Sequence, residues 1–181
     1  MFRNGITLTI VAVLCFFLLP DTMNAQEHGY IGAEACGMCH KSEKQGEQLK
    51  IWQGTKHANA YKALLSEEAN KLSGDVKAVE NPKCLKCHAS GYDVDKKLLG
   101  KKFSVEDGVQ CETCHGPGAD YKSMKVMKNR EEAIKNGLRI WKDEAEIEQY
   151  CKTCHNEESP TYKEFDFAKM WPQIAHPVPK K

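Results

Sequence analysis

The stretch Gly108-Val109-Gln110-Cys111-Glu112-Thr113-Cys114-His115-Gly116-Pro117-Gly118 sets two cysteines three residues apart, a histidine directly after the second, and a Gly-Pro-Gly break behind it. Outward in both directions the pattern returns: Cys36 and Cys39 with His40, Cys84 and Cys87 with His88, Cys151 and Cys154 with His155. The chain has nine cysteines in 181 residues, and Cys15 alone stands outside a pair. C-x-x-C-H is the attachment signature of c-type haem. Two thiols at this spacing both reach the vinyl groups along one porphyrin edge and form thioether bonds. The next side chain then points at the iron, for which imidazole is a good axial ligand. Zinc can use paired cysteines and an exported chain can form disulfides, but neither needs a histidine after every pair. A thioredoxin-like motif would be single and set among βαβ elements, which this sequence lacks. The sequence therefore implies four covalently attached haem c groups.

The remainder of the composition agrees. Lys+Arg 26 against Asp+Glu 25 gives a net charge of +1, not the strongly basic balance of a nucleic-acid binder. Each haem adds two propionates, so the assembled protein is expected to be more acidic than the sequence sum, which a cationic patch on a redox partner can use. No P-loop and no G-x-G-x-x-G occurs.

The N-terminus reads as a signal peptide over residues 1–25. Arg3 precedes an uncharged run of 14 residues, Ile6 to Leu19, and small Ala25 ends the segment. The run falls short of the roughly 20 residues that cross a bilayer, so a membrane association is expected only if the segment stays uncleaved. Cys15 leaves with it. A single tetrahaem domain then occupies residues 26–181, outside the cytoplasm, in the periplasm or beyond. It has about 156 residues for four haems, fewer than 40 apiece. That is too little polypeptide for separate cores, so the porphyrins are expected to form the core and the haem-free chain to be largely unfolded.

Four irons have eight axial positions, and the motif histidines fill four. Of seven histidines only His28, His57 and His176 remain. At least one iron is therefore open, or held by Met, Lys, water or a neighbouring molecule. His57 lies where Thr55 can cap a helix, with Tyr61, Leu64 and Leu65 on its face. His176 is followed by Pro177 and Pro179, which stiffen the tail. His28 lies near the expected mature N-terminus. Met38, Met124, Met127 and Met170 are the lesser option.

The pattern predicts helices at about 42–53, 55–71, 128–138 and 143–154, the last with Ile147, Tyr150, Cys151 and Cys154 as a stripe and Asp143 in its first turn. Segments 72–83, 89–110 and 156–181 read as loops, with a weak strand candidate at Lys102–Val105. The fold class is mainly α and loop-rich.

The chain resembles the tetrahaem cytochrome c-554 family. The resemblance rests on Tyr30-Ile31-Gly32-Ala33-Glu34-Ala35-Cys36, on Trp52 with His57-Ala58, on Gly91-Tyr92 after His88, on Gly108–Gly118, and on His155-Asn156 with Ser159-Pro160-Thr161. It implies an all-α fold with closely stacked haem pairs. By position it sets His57 opposite His115 and His176 opposite His155, and leaves the iron of His88 five-coordinate. The family's ligand for the first haem is a histidine soon after Gly-Pro-Gly, but Ala119–Met124 contains none here, so His28 is the candidate opposite His40, from the same chain or a neighbour. The leading functional reading is a periplasmic electron carrier with a donor and an acceptor protein, rather than an enzyme. The alternatives are small-molecule reduction, for example of nitric oxide, at the open iron, and a self-associated haem wire. No nucleic-acid partner is expected.

Overall fold

The computed structural model describes residues 28–179. The expected signal peptide with Cys15, and the terminal Lys180-Lys181, lie outside them. Ten short α-helices follow one another: α1 (Ala33–Gly37), α2 (Gln48–Gln53), α3 (Ala60–Ala63), α4 (Glu67–Ser73), α5 (Pro82–His88), α6 (Cys111–His115), α7 (Met124–Met127), α8 (Arg130–Lys135), α9 (Glu144–Cys151) and α10 (Phe167–Met170). Isolated single 3₁₀ turns and loops join them. Among the described residues the sole β feature is one parallel bridge, Tyr30 to Leu99.

None of these helices exceeds eight residues, a length that cannot hold itself helical in water. All lean on their neighbours, and α4, α5, α7, α8, α9 and α10 also have a side-chain cap. The Asn81 side chain accepts from Lys83 N, with Pro82 starting α5; Ser66, Asn129 and Asp143 cap α4, α8 and α9 in the same way. Asp143 thus stands just before its helix rather than within the first turn.

Two long expected helices are broken. The one at 42–53 is interrupted by Gly46 (φ 93°) and by Glu47 in the left-handed region (φ 50°), leaving a 3₁₀ turn and α2. The one at 55–71 is cut where Ser66 leaves helical geometry to cap α4. Thr55 Oγ1 does accept from Ala58 N at 3.4 Å, but Leu65 turns outward, 61% exposed, while Leu64 is buried. The expected loop at 72–83 contains the start of α5, and that at 156–181 contains α10. Lys102–Val105 is not a strand: Ser104 caps a 3₁₀ turn there.

The apolar interior is very small. The buried hydrophobic residues are Ile31, Ala33, Leu64, Ala78, Ala89, Tyr121 and Ala133, and four of the seven are alanine. The largest fully buried side chains are the polar Gln110 and Glu112. An ordinary domain of this size buries many large aliphatic and aromatic side chains. Among the described residues, polar clamps take much of that role here.

Candidate functional site

Each C-x-x-C-H motif is one turn of helix. α5 and α6 contain the second and third motifs whole. In the first and fourth, His40 N bonds to Cys36 O at 3.1 Å and His155 N to Cys151 O at 3.0 Å, which continues α1 and α9 through the histidine. Positions i, i+3 and i+4 of a helix share one face. Both thiols and the imidazole of each motif therefore project to the same side.

The third motif ties the others together. The Glu112 carboxylate accepts from Ile31 N (2.8 Å), Gly32 N (2.8 Å) and Gly118 N (2.7 Å). Gln110 Oε1 accepts from Ala33 N (2.8 Å) while its Nε2 donates to Ser104 O (2.8 Å). These bonds pin the lead-in of the first motif. Toward the second motif, Ser90 Oγ pairs with Thr113 Oγ1 and accepts from Gln110 N. Toward the fourth, Tyr150 Oη and Arg139 Nη1 both donate to Thr113 O, at 2.6 and 2.7 Å. The Arg139 guanidinium lies 4.8 Å from the Tyr150 ring centre, a cation–π contact. Gly116, at φ 80°, follows directly; a β-carbon there would strike the Gly137 carbonyl.

The thiols meet in pairs. The nearby Cys111 thiol together with burial pushes the Cys36 thiol far above the usual range. Burial and the adjacent Cys154 push Cys87 up to about 12. Burial raises Cys114 to about 11. Such thiols stay protonated at neutral pH, unlike the reactive thiolates of redox enzymes. The first motif thus adjoins the third, and the second adjoins the fourth. Cys151 is within electrostatic reach of Cys114, which adjoins third to fourth.

The histidines gather in the same region. The ring of His57 lies 6.1 Å from that of His155, and the ring of His176 lies 5.8 Å from that of His115. This exchanges the partners that the resemblance implied. His57 O accepts from Val109 N, at the N-terminal end of α6, whereas His115 leaves from its C-terminal end, so the two imidazoles start from opposite ends of that helix. His88 and His40 have no ring neighbour among the described residues. They lie within electrostatic reach of His155 and His115 respectively. Burial lowers the pKa of His57 and His155, and takes His115 down to about 4. All three are then neutral at neutral pH, the form that binds metal. His28, His88 and His176 each donate Nδ1–H: to Asp120 (2.6 Å), to Ala60 O (2.8 Å) and to Ile174 O (2.7 Å). That leaves Nε2 as the free lone pair, the arrangement usual for metal-bound imidazole.

Among the described residues no three His, Cys, Asp or Glu side chains converge as a ready metal-ion site. The donor set of the motifs fits haem: thiol pairs and an imidazole on one helical face, further imidazoles opposite, and an interior short of apolar side chains. Met38 and Met124 are exposed, at 64% and 66%. Sequence reasoning missed the clamps made by Gln110, Glu112, Arg139 and Asp120. Their partners are distant in sequence, and no local signal marks them.

A family model described as "Cytochrome c554 and c-prime" matches residues 35–116, which hold the first three motifs. Over that stretch the chain is similar to the cytochrome c554 family. Cytochrome c-554 of Nitrosomonas europaea is 26% identical over 166 residues, covering 81% of this chain and 66% of that relative; the chain thus spans about two thirds of that relative's length. The solved structure of reduced cytochrome c554 from Nitrosomonas europaea shares the fold, with a TM-score of 0.52 at 22% identity over 84% of this chain and 86% of that one. The mainly helical, loop-rich architecture is therefore the fold of that solved structure. Among the described residues no helix is long and apolar enough to cross a membrane.

Proposed function

We propose that this chain is an exported electron carrier with four haem c groups. Cys36/Cys39, Cys84/Cys87, Cys111/Cys114 and Cys151/Cys154 would tether them, with His40, His88, His115 and His155 as first axial ligands. Haem c supplies one-electron redox chemistry at its iron. The side chains set the conditions for it. His57 faces His155, and His176 faces His115, which offers the third and fourth sites two imidazoles each. The observation that carries the reading is adjacency: the motifs touch in the order first, third, fourth, second, which makes one continuous path between two ends. The N-terminal Arg3–Ala25 segment supports export.

The test is the purified holoprotein. The reading expects an intact mass equal to the processed chain plus four haems, four haems per chain by pyridine haemochrome assay, and reversible oxidation and reduction of all four by voltammetry. A colourless protein, or one with the bare processed mass, would refute it. A second reading, reduction of a small molecule such as nitric oxide, has one observation in its favour: after His57 pairs with His155 and His176 with His115, one remaining imidazole, His28, serves two motif histidines, His40 and His88. It expects a nitric-oxide-induced shift confined to one haem of four, with turnover under reductant.

A further inference from the structure

We propose that His28, oriented by the Asp120 carboxylate, is the second axial ligand of the iron on His40. The inference rests on the four-haem reading above. Three histidines lie outside the motifs; His57 and His176 already face His155 and His115. His28 is left, with His40 and His88 as the unmatched motif histidines.

Position decides between these two. His28 bonds to Asp120, five residues beyond His115. Its ring lies against Gly137, whose carbonyl abuts Gly116. Two residues on, Arg139 N bonds to His115 O at 2.8 Å. His28 is thus held on the third-motif side, where His40 is the electrostatic neighbour of His115. His88 belongs with His155 and Ala60. The lead-in that follows His28 is the same Ile31–Ala33 segment that Glu112 and Gln110 clamp.

The local geometry is that of a prepared ligand rather than a loose terminus. The His28 side chain is only 16% exposed. Gly137 has φ +99°, and a β-carbon there would come within 2.8 Å of the His28 ring, so this position suits the glycine that lets the imidazole lie flat on the backbone. The His28 Nδ1–H donates to the Asp120 carboxylate at 2.6 Å, which fixes the tautomer with Nε2 free and makes the imidazole a stronger ligand. A carboxylate partner does this more strongly than the backbone carbonyls that serve His88 and His176. The iron on His40 should therefore have a lower reduction potential than the same ligand pair would give without Asp120.

The experiment uses the ferric holoprotein, counted for high-spin and low-spin haem by EPR and absorption. Wild type should show one high-spin haem in four. His28→Ala should show two. A His28→Ala protein that carries four haems and still shows one high-spin haem overturns the proposal. Asp120→Asn, which leaves the ligand in place, should keep the wild-type spin count and raise the midpoint of one haem; four unchanged midpoints overturn the role of Asp120. Fewer than four haems on the wild-type protein would remove the underlying reading itself, and that is seen before any variant is made.

Discussion

At the scale of single residues, the site is organised by groups other than its thiols and imidazoles. Glu112 is the clearest. It is 2% exposed, and three separate backbone N–H groups donate to its carboxylate. Hydrogen bonds to a charged acceptor are worth about 1.5–3 kcal/mol each. Glu112→Gln keeps the shape but turns one acceptor into a donor facing N–H groups. We expect the holoprotein to lose about 2 kcal/mol, a fall of about 4–8 °C in Tm by calorimetry for a chain of this size. The haem count should stay unchanged. Gly137 gives a second expectation. Gly137→Ala places a methyl against the His28 ring in a backbone region that L-residues rarely adopt. It should destabilise the protein by about 1–3 kcal/mol, measured by guanidinium unfolding, whereas Gly54→Ala, which would meet only ordinary contacts, should be close to neutral.

At the scale of elements, the joint between α6 and α9 is made by few groups. Arg139 and Tyr150 share the Thr113 carbonyl and stack on one another, with the Trp141 ring 4.9 Å from Tyr150. Arg139→Ala should cost about 1–3 kcal/mol, and Tyr150→Phe about 1 kcal/mol. The double variant should lose less than the sum, because both act on one acceptor; equilibrium denaturation of the four proteins measures this. Little of the joint can be read from the sequence. The α6 turn and the α9 stripe follow from local pattern, and the four motifs are plain. The expected helices at 42–53 and 55–71 failed because periodicity does not register a positive φ at Gly46 and Glu47, nor a serine that starts a new helix. The α5 helix was missed because its Asn81-Pro82 start lies in a Gly- and charge-rich neighbourhood that reads as loop. The histidine partners were legible as a set of three, but not in their pairing, which depends on which end of α6 each chain segment reaches.

At the scale of the whole molecule, the seven buried hydrophobic residues among the described ones, four of them alanine, are few against an ordering cost of about 1–2 kcal/mol for each backbone residue. A chain of residues 26–181 made without haem should show the circular dichroism of an unfolded polypeptide and no cooperative melt. A native-like helical spectrum would mean that the polypeptide alone suffices. The clamp on the first motif has a consequence in time. Ile31, Gly32 and Ala33 are fastened by side chains 77 to 81 positions further along the chain. As synthesis proceeds from the N-terminus, the earliest site to emerge has nothing to dock on until Gln110 and Glu112 have followed it. The leading end of the polypeptide therefore stays open to whatever enzyme joins cofactor to thiol, and it closes only when the greater part of the chain is out.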